Sequence, residues 1–157
     1  MRKSTINSYP QNRASADGGW LDLDQLARVE VTSEENGNAI ECALLEGESG
    51  GWRAANPGPQ TIRLIFDRAQ PIRRIQMLFE DSEHSRIQEF VLRWSSDGGH
   101  SFREIVRQQW NFSAPNSVRE IEDYAVQLSE VTLLELTIVP DANGGEARAS
   151  LRSLRLA

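Results

Sequence analysis

Residues Arg86 to Phe102 alternate apolar and polar side chains as far as Ser95 and then break into Ser96-Asp97-Gly98-Gly99. Phe90, Leu92 and Trp94 fall on one face of a period-two strand, and Val91, Arg93 and Ser95 fall on the other. The Asp-Gly-Gly run supplies positions that take positive φ at little cost, so the segment reads as a β-hairpin. A chain with such a hairpin near its middle is committed to antiparallel sheet.

The surrounding sequence extends that pattern. A strand is predicted over Arg28 to Thr32, followed by a short helix turn between Asn38 and Leu45 and an irregular Gly/Pro-rich loop from Gly47 to Pro59. Further strands are predicted at about 61–67, 72–80, 87–95, 102–109, 118–128, 133–139 and 148–156. No long amphipathic helix interrupts them, so parallel crossovers are ruled out. The expected fold is all-β, an antiparallel two-sheet β-sandwich or jelly roll with one short helix turn. Phe90, Leu92, Trp94, Leu134, Leu136 and Ile138 are expected to point into its core.

The chain has 157 residues, 39% hydrophobic, enough for one domain with its own core. Residues 1–19 carry only Ile6 and Tyr9 as large apolar groups and read as a mobile tail, leaving 20–157 as the single domain. The formal charge of −6 argues against the broad basic face that nucleic acid or an anionic membrane requires. The single Cys42 allows no internal disulfide, and no apolar run approaches a membrane span or signal peptide, so a cytoplasmic location is expected.

Several fragments invite a catalytic reading. Gly47-Glu48-Ser49-Gly50-Gly51 matches the Gly-x-Ser-x-Gly elbow of serine hydrolases, but an elbow needs a strand before the serine and a helix after it, whereas here a helix turn precedes and a Gly/Pro loop follows. His84 and His100 both follow Ser49, against the order of trypsin-like proteases. Cys42 reads as a packed small hydrophobe, and Asp22 and Asp24 as solvated side chains at a strand start. No catalytic residue and no cofactor are assigned, and a serine hydrolase is the third of three readings.

Between Leu21 and Ala157 the order of features resembles the discoidin family, the coagulation-factor C-type domains of the galactose-binding-like β-sandwiches. The resemblance rests on Asn36-Gly37-Asn38, the helix turn Ile40 to Leu44, the Gly-rich loop reaching Trp52, the run Gly58 to Asp67, the Ile72 to Phe79 strand, and Ser95-Ser96-Asp97-Gly98 followed by Phe102. It implies a non-catalytic module that binds carbohydrate, lipid head group or protein through loops at one end of the sandwich. Members of the carbohydrate-binding branch often hold a structural calcium through an acidic Gly-rich loop and a last-strand carboxylate. This loop keeps Glu46 and Glu48, but Gly50 stands where the family commonly has Thr, and Arg152 or Ser153 where the last-strand Glu would be. Calcium wants about six to eight oxygen ligands, so no bound metal is expected.

Counting strand reversals places the ligand site. The links near 68–71, 96–101 and 129–132 should share one end, and those near 54–60, 81–87, 110–117 and 140–147 the other, which carries the longer loops. A concave site is expected there among His84, Arg86, Trp110 and Asn111, with Trp110 stacking on the ligand and Arg86 donating hydrogen bonds. Carbohydrate binding is the first reading, with a cytosolic protein-interaction adaptor as the alternative.

Overall fold

A computed structural model describes residues 19–157, so all but the last residue of the expected tail lies outside the described residues. The elements run α1 (Leu23–Leu26), β1 (Ala27–Val31), α2 (Glu41–Leu44), β2 (Trp52–Arg53), β3 (Gln60–Glu80), β4 (Arg86–Ser95), β5 (Arg103–Phe112), β6 (Arg119–Val139), β7 (Ser150–Leu151) and β8 (Ser153–Leu156). Every strand pair is antiparallel. One layer is β1, the first half of β3, the second half of β6, β4 and β5. The other is β8, the second half of β3 and the first half of β6. Phe79 of the small layer stacks on Phe90 of the large one at 5.4 Å between ring centroids, and a single apolar core fills the space between them.

Two pairs of expected strands are fused. The segments 61–67 and 72–80 belong to β3, and 118–128 and 133–139 to β6. Neither 68–71 nor 129–132 is a connection. Register shifts between Ile65 and Arg74 let the β3–β6 ribbon turn from one layer into the other without losing its pairing. Pro71, which reads as a break in the sequence, sits within those shifts, where a missing N–H is tolerated.

The predicted hairpin is present. Gly98 and Gly99 have φ of 73° and 100°. Asp97 accepts from the Ser101 hydroxyl and the Ser95 hydroxyl, each at 2.6 Å, bonds that hold its carboxyl well below the usual range. Phe90, Leu92, Leu134, Leu136 and Ile138 are buried as expected, whereas Trp94 is only half-buried under the Arg103 guanidinium, 5.9 Å from its ring centroid. The expected single helix turn is α2, and α1 is an addition. Asp22 is the N-cap of α1 and accepts from Asp24 N at 3.2 Å, so this pair of carboxylates marks a helix start and not a strand start. Cys42 is half-buried, less enclosed than a core hydrophobe because it lies on α2 next to the surface loop.

The outer face of the large layer carries one charged residue from each of its five strands in matching register. Glu30 pairs across to Arg63, Arg63 to Glu135, Glu135 to Arg93 and Arg93 to Glu104, so the sign alternates throughout. Burial pushes the central Glu135 carboxyl up, but Arg93 and Arg63, each with Nε 2.9 Å from one of its oxygens, outweigh this and hold it below the ordinary carboxylate value.

Candidate functional site

The long connections converge at one end of the sandwich, as strand counting predicts. Asp81 N donates to Val118 O at 2.9 Å, Ala142 N to Ile87 O at 2.7 Å and Gly58 N to Ala147 O at 3.2 Å. At the other end the hairpin turn meets the bends of β3 and β6, which stand where links were expected: Gln70 pairs with Val131 and Gly98 N donates to Thr132 Oγ1 at 2.9 Å. At the long-loop end lies a pocket of about 500 Å3. Asn38, Arg53, Glu80, His84, Asp141 and Arg148 are among the residues that line it.

Arg86 is the hub under this pocket. Its side chain is 3% exposed. Nε donates to Asp81 Oδ2 at 2.7 Å, Nη1 donates to Pro140 O at 2.8 Å and to Gln88 Oε1 at 3.2 Å, and the guanidinium lies 4.6 Å from the centre of the Phe112 ring. One cation thus ties the 81–85 loop to the start of the 140–149 loop and to β5. Asp81 passes the constraint on: its Oδ1 accepts from the backbone N–H groups of Glu83 at 2.9 Å and His84 at 3.1 Å, and lies 3.2 Å from the His84 ring. Burial raises the Asp81 carboxyl, but the hydrogen bonds from Arg86, Glu83 and His84 prevail and hold it below its ordinary value.

Of the four residues expected to form the site, His84 and Arg86 line the pocket; Trp110 and Asn111 are not among its lining residues. The strand reaches beyond the predicted boundary, since β4–β5 pairing continues to Arg86 opposite Phe112, and Trp110 is therefore a strand residue and not a loop-edge platform. It meets Phe112 edge-on at 6.4 Å between centroids. Neighbouring strand residues face opposite ways, so Asn111 is exposed on the face away from Trp110. With Nε committed to Asp81 and Nη1 to Gln88 and Pro140, Arg86 holds the pocket's frame. Arg53 and Arg148 were missed because they are brought together by the short β2–β7 pair, Arg53 within β2 and Arg148 just before β7, a pairing of distant segments that only tertiary structure reveals.

Ser49 is exposed between α2 and β2, while His84 and His100 lie at opposite ends of the sandwich. Glu46 and Glu48 are exposed in the same loop. Among the described residues no group of three acidic, His or Cys side chains is placed to hold a metal ion.

A second polar cluster lies between the layers next to Arg86. Glu120 is 1% exposed, its Oε1 is 3.5 Å from Gln88 Nε2, and its Oε2 and Trp110 Nε1 are buried without a partner. Its carboxyl is pushed up to about 9, first by burial and then by neighbouring Glu122, which also accepts from the Tyr124 hydroxyl. The folded chain therefore keeps a proton that the unfolded chain releases near 4.5, and stability falls as pH rises between those values. Glu120→Gln removes this penalty. It is expected to raise stability by about 1 to 3 kcal/mol at pH 7 and by much less at pH 4, read from urea midpoints at the two pH values.

No family model matches the sequence, and no curated protein is significantly similar to it. Solved structures do match. A Clostridium perfringens family 32 module solved with GalNAc-β-1,3-galactose superposes with a TM-score of 0.64 at 20% identity, covering 87% of this chain and 98% of that one. The fold is the galactose-binding-like sandwich. The family 32 module of Clostridium perfringens NanJ, solved with galactose, gives a TM-score of 0.63 at 14% identity over 87% of this chain and 96% of that one. A chitosan-binding module of a Paenibacillus chitosanase/glucanase gives 0.58 at 15% identity, covering 87% of this chain and 98% of that one.

Proposed function

We propose that this galactose-binding-like domain is a non-catalytic carbohydrate-binding module whose ligand occupies the long-loop pocket. The observation that carries the reading is the lining itself: Asn38, Arg53, Glu80, His84, Asp141 and Arg148 surround one concavity with both donors and acceptors. Adjacent sugar hydroxyls, each donor and acceptor at once, match such a set. The structural neighbours were solved with galactose or GalNAc-β-1,3-galactose or are described as chitosan-binding, which supports the same class of ligand.

A glycan array followed by calorimetry tests the proposal. Arg53→Ala and Arg148→Ala are expected to weaken binding of the selected glycan at least tenfold while leaving the melting temperature within a few degrees, since both side chains lie toward the surface. Unchanged affinity in both variants would rule the pocket out. The second reading, a protein-interaction module, is favoured by one observation: Trp52, the aromatic residue of the lining, is 1% exposed and offers little face for stacking. An array without hits, together with a defined protein partner whose binding is lost in Arg53→Ala, would shift the assignment to it.

A further inference from the structure

The resemblance to the calcium-holding branch implies a cation between the loop after α2 and the last strand, and the donor set found there does not fit one. Gly50 brings no side-chain oxygen, and neither Arg152 nor Ser153 supplies the last-strand carboxylate. Two residues on from Ser153 along β8 stands Arg155, whose Nη1 donates to Ala43 O at 2.8 Å and to Leu154 O at 3.0 Å, with Nη2 3.5 Å from Leu45 O. We propose that the Arg155 guanidinium is a built-in substitute for the structural cation, so that the loop leading into the pocket is held without metal.

The chemistry of the two solutions is parallel. Helix α2 is a single turn closed by Leu45 N donating to Glu41 O at 3.0 Å; Leu45 O also receives Glu48 N at 3.4 Å, and Ala43 O takes its donor from Arg155. A divalent cation would gather such carbonyls electrostatically. A planar guanidinium does so with directed N–H groups and a permanent charge. Burial lowers the Arg155 pKa, opposed by nearby Glu46, so one of the loop's two carboxylates already faces a fixed positive charge. A calcium ion would have to displace that charge or sit against it.

The held loop reaches the pocket. Beyond Leu45 it runs through Gly50, a lining residue with φ of 93°, to Gly51, where a Cβ would lie 2.7 Å from Leu151 O. Asn38, which also lines the pocket, donates from Nδ2 to Gly51 O at 3.3 Å. The loop is thus fixed to β8 at its start and to β7 at its finish, and Arg155 is a positioning residue for the Gly50 to Arg53 wall.

Thermal melts of the whole chain in calcium and in chelator test this, with Arg155→Met and Arg155→Glu beside the parent. The parent is expected to melt at the same temperature in both solutions. Arg155→Met should melt about 5 to 10 °C lower in both, because Ala43 O loses its charged donor and the tie between α2 and β8 is cut. Arg155→Glu places a carboxylate beside the same carbonyls and should be weakened in chelator and raised by calcium. A chelator-induced drop in the parent, an Arg155→Met that melts like the parent, or a calcium-blind Arg155→Glu would each overturn the proposal. No arm involves a sugar, so a failure here is separable from a failure of the carbohydrate reading.

Discussion

Asp81→Ala is expected to destabilise the fold by about 3 to 5 kcal/mol at neutral pH, because it leaves a nearly buried guanidinium without its charged partner. Arg86 has 3% of its side chain exposed, and its remaining partners, Pro140 O and Gln88 Oε1, are uncharged. The same substitution removes the acceptor for the Glu83 and His84 N–H groups, so the loop that lines the pocket loosens together with the clamp below it. The effect carries a pH signature. Asp81 titrates lower folded than unfolded, so its contribution is present above the ordinary carboxylate range near pH 4 and is lost as pH falls through its depressed folded value. Urea midpoints of parent and variant should be far apart at pH 7 and draw together in acid. A constant gap would mean that the carboxylate charge contributes nothing.

Trp52→Ala is expected to cost about 3 to 5 kcal/mol through lost burial and the cavity it leaves. Trp52 is 1% exposed on the short strand β2, and its Nε1 donates to Ser33 O at 3.0 Å. The ring joins the first irregular stretch of the chain to the β2–β7 pair. Trp52→Phe separates the contributions: it keeps most of the volume, removes the N–H, and should cost about 1 kcal/mol plus a partial cavity. Chemical denaturation of both variants checks the order. Equal midpoints for Trp52→Ala and the parent would mean that the β2 region is not part of the cooperative fold.

The hairpin, the antiparallel class, the end of the sandwich that bears the pocket, and His84 within it were all legible in the sequence, because alternation and turn chemistry are local signals. Strand counting survived the fusion of its strands: a bend and a loop both turn the chain, so parity is preserved whichever occurs at 68–71 and 129–132. Trp110 was harder, because its role depended on whether pairing stopped at Gln109 or ran on to Phe112, and β4 decides that from another part of the chain. Arg86 looked like a surface donor because its next-but-one neighbour is polar Gln88, and nothing nearby in sequence announces that Asp81, Phe112 and Pro140 close around it. Glu135 was likewise unreadable: its two arginine partners are 72 and 42 residues away.

The ribbon of β3 and β6 passes through both layers, and its continuity bears on how the protein opens. In a sandwich whose layers are joined only by loops, one sheet can fray while the other persists. Here each of two 21-residue strands contributes pairing to both sheets. Detaching the small layer therefore pulls on the ladder that holds the large one. Native-state hydrogen exchange should accordingly give the amides of Leu64 and Met77, on opposite sides of the bend, the same slowest rate, set by global unfolding, while those of the 81–85 loop exchange through local openings.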